Sequence, residues 1–224
     1  MNNNKLGLFV RAPLAGSVKT RLVPPLTPEE ARSLYLAFLQ DLTVKLHRTR
    51  FRPTVFVSGG RSPDLATVFP AGWPVVDQVG ESLGDRLAAA FDVLLAAPGS
   101  RAVIVGSDSP DLPLVHVKRA FRLLKHRDVV LGPAVDGGYY LVGLRAAAPG
   151  LFRGVPWGSA GVFAATVRAV ADAGLSLALT PAWYDVDDAA SLALLRSLCN
   201  ARRLAGGERF PHIERFLDSN PGGG

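Results

Sequence analysis

The chain of 224 residues contains one cysteine, Cys199, and only four histidines. A single cysteine excludes an internal disulfide, and scattered histidines leave no zinc-cluster pattern in the sequence. No apolar run approaches the roughly 20 residues of a membrane span. The amino-terminal stretch MNNNKLGLFV also lacks the charged region, the long apolar region and the cleavage site of a signal peptide. These absences favour a cytoplasmic protein with no membrane partner.

Basic residues outnumber acidic ones, with 25 Lys and Arg against 19 Asp and Glu and a formal net charge of +6. We interpret the arginines as dispersed rather than arranged in blocks, and the aromatic residues do not alternate with them as they do in many nucleic-acid-binding proteins. The charge therefore predicts a solvated surface with a few anion-binding groups. A phosphate-rich small substrate accounts for it as well as nucleic acid does, and we expect no nucleic acid partner.

Short apolar runs alternate with amphipathic segments along the chain, whose length suits one domain with a substantial core. Residues 6–10 and 102–105 are predicted strands, and apolar residues at helical spacing after Thr27 predict a helix to about residue 47. This alternation predicts an α/β fold. We expect one domain over residues 1–218 and a disordered tail over residues 219–224.

The strongest functional signal lies in residues 102–113, AVIVGSDSPDLP. An apolar run rich in β-branched residues stops at Gly106, and Asp108 and Asp111 follow it on a turn stiffened by prolines. Ligands bind outside the carboxyl ends of strands in open α/β sheets, and paired carboxylates suit Mg²⁺ or Mn²⁺ carrying a phosphorylated substrate. The alternative is structural, because either acid could cap the helix that starts near Leu114.

A long loop after the first predicted strand contains Arg11, Lys19 and Arg21. α/β proteins often bind phosphates at this place, although the glycine spacing matches neither the Walker loop nor the dinucleotide fingerprint. Lys19 offers a point charge and Arg21 a planar fork to a polyphosphate. The alternative is that both are ordinary surface residues of a mobile loop.

The tripeptide Asp136, Gly137 and Gly138 separates two apolar runs and predicts a hairpin turn. A second interpretation is equally open, because the glycines leave bare backbone amides for ligand oxygens and Asp136 could hold a hydroxyl. Trp157 could stack on a ring or on a sugar face, or it could anchor packing.

Three acids, Asp185, Asp187 and Asp188, precede the next predicted helix. One of them is expected to be its N-cap. Three acids in four residues exceed what capping requires, so at least one is expected to reach the same cation as Asp108.

The chain resembles the bacterial DUF2064 group of glycosyltransferase-like proteins, some of them associated with arsenosugar biosynthesis. Five stretches carry the resemblance: APLAGSVKTRL, GSDSPDLP, LGPAVDGGYYLVGL, VPWGSAGVF and YDVDDAASLALL. The group is similar in turn to the 2-phospholactate guanylyltransferases of deazaflavin cofactor synthesis. The resemblance implies the GT-A, nucleotide-diphospho-sugar transferase-like fold, a single α/β domain with a mostly parallel central sheet flanked by helices.

The resemblance also implies roles for individual residues. It implies a metal held by Asp108 and Asp187, and nucleotide phosphates facing Lys19 and Arg21. It implies an acceptor or base pocket lined by the Asp-Gly-Gly turn. Where the family has Trp followed by Ser and Thr, this chain has Trp157, Gly158 and Ser159. The predicted substrate contacts are Arg11, Asp111, Asp136, Gly137, Gly138, Trp157 and Ser159.

Together these features predict a transferase that depends on Mg²⁺ or Mn²⁺ and uses a nucleotide-activated donor, with Asp108, Lys19 and Arg21 as its catalytic residues. The leading hypothesis is a glycosyltransferase that uses a sugar nucleotide. The alternative is a nucleotidyltransferase that joins an NTP to a phosphorylated small molecule and releases pyrophosphate. A third hypothesis is a nucleotide-binding module without catalysis. The expected partners are a nucleotide or sugar-nucleotide donor and a small-molecule acceptor, with a homodimer as a further expectation.

Overall fold

Seven short apolar runs form one sheet in the computed structural model, which describes residues 3–49, 51–60 and 62–220. The strands are β1 (Asn4–Arg11), β2 (Thr54–Ser58), β3 (Val75–Asp77), β4 (Arg101–Gly106), β5 (Val129–Pro133), β6 (Tyr139–Leu144) and β7 (Leu177–Leu179). The helices are α1 (Pro28–His47), α2 (Pro63–Val68), α3 (Leu83–Leu95), α4 (Leu114–Leu123), α5 (Val162–Asp172), α6 (Ala189–Leu204) and α7 (Pro211–Ser219). Short 3₁₀ turns cover Thr20–Leu22 and Pro149–Phe152.

The strand order is β3-β2-β1-β4-β6-β5-β7, and β6 runs antiparallel to both of its neighbours. The other strand pairs are parallel, so the predicted mostly parallel α/β sheet is confirmed. In the register of β1 and β4, Phe9 lies opposite Gly106. The basic loop after β1 and the acidic turn after β4 therefore leave the sheet side by side at its carboxyl edge.

Helices cover both faces of the sheet, as the alternating pattern predicts. One core cluster joins the sheet to α1, α4, α6 and α7, and the other joins it to α3 and α5. The helix starts follow local capping rules: Thr27 and Glu30 form a capping box at α1. Asp188 caps α6, as expected for one of the three acids. The capping alternative for Asp108 or Asp111 is wrong, because α4 begins after Pro113 without a side-chain cap.

The Asp-Gly-Gly turn joins β5 to β6, so its interpretation as a hairpin is confirmed. Gly137 adopts φ 91°, and a Cβ atom there would lie 2.4 Å from the backbone oxygen of Ala160. Only glycine fits both the left-handed backbone and this close approach. The turn therefore docks directly on the chain segment that leads into α5.

The carboxyl-terminal helix α7 packs on α1. The Asp41 carboxylate accepts hydrogen bonds from the backbone N–H groups of His212 (3.3 Å) and Ile213 (2.9 Å) at the start of this helix. Ser219 is its last residue. Residues 221–224 of the predicted tail lie outside the described residues. None of the helices in the described ranges combines the length and the apolar composition that a membrane crossing requires.

Replacing Gly137 by alanine is expected to destabilise the fold by about 3 kcal/mol, from backbone strain together with the clash against Ala160. Gly154→Ala is the matched control, since Gly154 also has a positive φ but no atom lies within 4 Å of its added Cβ. The control should lose only about 1 kcal/mol. Urea unfolding of both variants measures the difference, and equal losses would contradict the close approach.

Candidate active site

A cleft of about 420 Å³ opens at the carboxyl edge of the sheet. Its walls come from the loop after β1, the turn after β4, the start of α3 and the segment before α6. The cleft brings together residues that are far apart in the sequence. Five of the predicted site residues line it: Arg11, Lys19, Arg21, Asp108 and Asp187.

Lys19 is the centre of the charged end of the cleft. Its Nζ contacts Oδ1 of Asp108 and lies 2.9 Å from Oδ1 of Asp187. The Lys19 side chain is 2% exposed, whereas the two carboxylates are 47% and 38% exposed. The ammonium thus lies beneath the two acids, and both acids keep an accessible side toward the cleft.

The backbone of Lys19 is unusual as well. Lys19 has φ 50°, and in the described part of the chain no other residue except glycine has a positive φ. Such strain persists where the surrounding structure holds it in place. Burial lowers the pKa of Lys19, but the charges of Asp108 and Asp187 outweigh that effect and raise it above the ordinary lysine value. Lys19 is therefore a permanent cation in the site.

Two aromatic residues of α1 support this lysine. The Lys19 Nζ lies 5.3 Å from the ring centroid of Phe38 and 5.8 Å from that of Tyr35. The Tyr35 hydroxyl accepts a hydrogen bond from the Arg11 backbone N–H (3.0 Å) and shares another with the Ser107 hydroxyl (2.8 Å). Burial raises the pKa of Tyr35 to about 12, so this hydroxyl stays neutral. Sequence reasoning placed Tyr35 and Phe38 only in the apolar stripe of a helix, because their contact with Lys19 is tertiary.

Asp185 is a third acid of the cleft wall, and sequence reasoning did not choose it over Asp187. Its carboxylate accepts a hydrogen bond from the Ser109 hydroxyl. Burial raises the pKa of Asp185 to about 6, and the negative charges of Asp108 and Asp187 add to this effect against the opposing hydrogen bond. The backbone N–H of Val186 donates to the carbonyl of Asp108 (2.9 Å), which ties the two acidic segments together.

The two partly exposed carboxylates are the groups of this site that a metal ion could bind. Within the described ranges, no group of three or more His, Cys, Asp or Glu side chains is arranged to hold a metal ion. Mg²⁺ often binds through one or two carboxylates and completes its shell with substrate phosphates and water. Asp108 and Asp187 offer hard oxygen ligands of this kind on their accessible sides.

The other end of the cleft is more apolar and carries one oriented amide. Gln78 follows β3, and its Nε2 donates to the carbonyls of Phe56 (3.0 Å) and Val10 (3.3 Å). Because Nε2 donates to these two carbonyls, the orientation of the amide is fixed. The Gln78 carbonyl oxygen can then accept a hydrogen bond from a ligand. The nearby apolar wall consists of Phe9, Leu83, Leu87, Ile104, Tyr139 and Val142.

Asp111 does not belong to the cleft, and its predicted contact with substrate is wrong. Its side chain is 0% exposed. The carboxylate accepts hydrogen bonds from Trp183 Nε1 (3.1 Å), the Tyr184 hydroxyl (3.0 Å) and Arg202 Nη2 (3.0 Å). All three donors come from segments that follow β7, so Asp111 anchors the carboxyl-terminal region to the turn after β4.

The residues of the hairpin turn lie outside the set that lines the cleft. Asp136 accepts a hydrogen bond from the backbone N–H of Gly138 (2.9 Å), which closes the turn, and Gly137 packs against Ala160. A ligand contact for Asp136, Gly137 or Gly138 therefore stays a prediction.

Trp157 and Ser159 also lie outside the lining set. The Trp157 ring packs edge-on against Tyr139, a residue of the cleft wall, with 6.2 Å between the ring centroids. The Ser159 hydroxyl donates to the carbonyl of Pro156 (2.8 Å) within its own turn. The packing role of Trp157 is thus visible, whereas the predicted ligand contacts of Trp157 and Ser159 remain untested.

Comparison with known proteins places the chain in a family. The family described as "Uncharacterized protein conserved in bacteria (DUF2064)" matches residues 42–159. The chain belongs to this family. A structure from Desulfovibrio desulfuricans G20 superposes with a TM-score of 0.89 at 31% identity, over 100% of this chain and 97% of that one. That structure is assigned provisionally as a nucleotide-diphospho-sugar transferase.

Further relatives are described as nucleotidyltransferases. A 2-phospho-L-lactate guanylyltransferase from Methanothermobacter thermautotrophicus is 32% identical over 134 residues. The match spans 59% of this chain and 59% of the relative's length. A cytidylyltransferase from Leptospira borgpetersenii, at 14% identity and a TM-score of 0.56 over 98% of this chain, shares the fold. Homologues of this DUF2064 chain are thus transferases that act with nucleotides.

Asp185→Asn is expected to stabilise the protein above pH 6, by about 2 kcal/mol at pH 8. The folded-state pKa of Asp185 is raised, so its ionisation costs stability at high pH, and that cost disappears as pH falls from about 6 toward 4. Urea unfolding across this pH range measures the gain. The control is Asp92→Asn, which removes the same charge from an exposed position. A gain independent of pH would contradict the assignment.

Proposed function

We propose that this DUF2064 protein is a divalent-cation-dependent transferase that acts on a nucleotide, and that nucleotidyl transfer from an NTP to a phosphorylated small molecule is its reaction. The observation that carries this proposal is the Lys19 ammonium between Asp108 and Asp187, in a cleft that Arg11 and Arg21 also line. The cleft wall contains four cations (Arg11, Lys19, Arg21 and Arg86) and three acids (Asp108, Asp185 and Asp187). This set suits a substrate with several charged phosphate groups that binds together with a divalent cation.

The basic residues favour a triphosphate over a diphosphate donor. In nucleotidyl transfer the leaving group is pyrophosphate, which concentrates negative charge at one end of the substrate. Arg11 at the end of β1, and Lys19 and Arg21 in the segment that follows it, supply three positive charges. The 32% sequence identity to a 2-phospho-L-lactate guanylyltransferase over 134 residues supports the same reaction.

A metal would be held by the accessible oxygens of Asp108 and Asp187. When bound there, Mg²⁺ or Mn²⁺ supplies charge neutralisation to the phosphate oxygens and orients them. Lys19 contacts both carboxylates and so holds them close to each other, and each keeps an accessible side. Arg21, at the exposed rim, stabilises the charge that develops on the leaving group.

The apolar end of the cleft suits the nucleobase. The oriented carbonyl of Gln78 is a hydrogen-bond acceptor for an N–H group on a base edge, and the Phe9 and Leu87 side chains provide an apolar wall for its ring.

Glycosyl transfer from a sugar nucleotide is the second candidate function. It is supported by the Desulfovibrio structure, whose provisional assignment is of this kind and which matches the chain over its whole length. The same carboxylates, metal and basic residues would then stabilise a departing nucleoside diphosphate.

Thermal unfolding with a panel of NTPs and sugar nucleotides, with and without Mg²⁺ or Mn²⁺, separates these reactions. A ligand at 100 times its Kd should stabilise the protein by about 2.7 kcal/mol. We expect a metal-dependent shift with an NTP that is lost in Asp108→Ala, followed by pyrophosphate release when phosphorylated hydroxy acids are added. A shift with sugar nucleotides alone would favour glycosyl transfer, and no shift with any nucleotide would overturn the site.

Lys19→Met is expected to strengthen the binding of Mn²⁺ alone by about tenfold, because the wild-type ammonium already neutralises one of the two carboxylate charges. Mn²⁺ binding followed by electron paramagnetic resonance measures this without any turnover. Arg21→Met is the matched control, since Arg21 is exposed and contacts neither carboxylate within hydrogen-bond distance among the described residues. Unchanged Mn²⁺ affinity in Lys19→Met would contradict a metal site at Asp108 and Asp187.

A further inference from the structure

One short segment of the chain is strongly basic. Residues 118–127, KRAFRLLKHR, contain five Lys and Arg and no acid. Of the 25 basic residues in the chain, 20 then remain against 19 acids. This segment therefore carries five of the positive charges with no acid between them.

The structure folds this segment around a second cavity. The cavity has a volume of about 430 Å³ and is lined by Arg119, Arg122, Leu123, His126 and Arg127. We call it the basic pocket. Arg119 and Arg122 lie on the exposed face of α4, and His126 and Arg127 lie in the turn that follows this helix. Its volume falls in the range of small-ligand sites, and its lining contains no acid.

No acid among the described residues forms an ion pair with the arginines of the basic pocket, although the charge of Arg127 contributes to the lowered pKa of the neighbouring Asp128. No hydrogen bond or ion pair within 4.0 Å joins Arg119, Arg122 or Arg127 to a side chain of that part of the protein. Arg32, for comparison, is paired with Asp64 (2.6 Å). The nearest acid in sequence, Asp128, instead accepts hydrogen bonds from the hydroxyl and the backbone N–H of Ser176 (2.6 and 3.0 Å).

Helix capping explains only part of this arrangement. Cations near a helix carboxyl terminus interact favourably with its last carbonyl groups. That effect accounts for a basic residue in the last turn, such as Arg122. It does not account for Arg119 one turn earlier or for the convergence of three arginines on one cavity. An anion bound between these arginines would offset the repulsion between their charges.

The basic pocket is separate from the cleft. Helix α4 begins at Leu114, shortly after Asp108 at the carboxyl edge of the sheet, and runs back toward the amino-terminal end of β5. A helix of 10 residues is about 15 Å long. The two cavities therefore lie at opposite ends of α4 and share no lining residue.

We infer that the basic pocket binds a small polyanion with two or more phosphate groups. Arginine forks bind phosphate oxygens in pairs, and three of them around a concave site match several oxyanions at once. The lining contains no Phe, Tyr or Trp on which a base could stack, and Leu123 is its one apolar residue. Those two facts favour a small soluble ligand over a nucleic acid strand or a lipid surface.

Inorganic triphosphate is the probe, and hydrogen–deuterium exchange read by mass spectrometry locates it. We expect protection of peptides covering residues 114–128 in the wild type. In the triple variant Arg119→Gln, Arg122→Gln, Arg127→Gln, the apparent affinity read from these peptides should fall by about tenfold or more. The control carries Arg48→Gln, Arg153→Gln and Arg168→Gln, three exposed positions elsewhere, and should keep the wild-type affinity.

Each other outcome overturns the inference. Protection confined to residues 17–22 would assign the triphosphate to the cleft, and that result is independent of whether the proposed transferase reaction is correct. An equal loss in the two triple variants would mean nonspecific attraction. Protection of residues 114–128 by RNA or by phosphatidylglycerol vesicles, but not by triphosphate, would assign the surface to a macromolecular partner. The single variant Arg122→Glu repeats the test if the triple variant does not fold.

Discussion

The contact of one buried ammonium with two carboxylates organises the functional end of this molecule. Lys19 comes from the loop after β1, Asp108 from the turn after β4, and Asp187 from the segment before α6. Removing a cation from water is costly, and only two nearby negative charges make the buried position tolerable. This contact therefore joins three segments at the carboxyl edge of the sheet and places the two carboxylates next to each other in the cleft.

Several features of the cleft are unfavourable for stability taken alone. Lys19 has a left-handed backbone, and Asp185 ionises against burial and two neighbouring negative charges. Strain and like-charge crowding of this kind gather at functional sites, where binding or chemistry uses them. A phosphate-bearing substrate with a divalent cation would relieve the crowding, which agrees with the transferase relatives of the chain.

The two ends of the sheet differ in the charges of the side chains that line their cavities. At the carboxyl edge, positive and negative side chains line the same cleft, and Lys19 is paired with two of the acids. Such a site suits the proposed ligand, which brings both a metal and phosphates. At the other end of α4, the basic pocket has positive side chains alone. Helix α4 thus separates a site of mixed charge from a cationic one.

Local chemistry in the sequence was enough to determine the alternation of strands and helices, the helix starts and the hairpin at Asp136. These features depend on neighbouring residues, such as Thr27 with Glu30 or the glycines of the turn. Motif spacing likewise identified Lys19 and Asp108 as candidates. Only the tertiary structure decided between acids of similar local context: Asp111 is buried by donors more than 70 residues away, whereas Asp185 lines the cleft. Side-chain burial and charge pairing across the sheet made that choice, because both depend on contacts that sequence spacing does not encode.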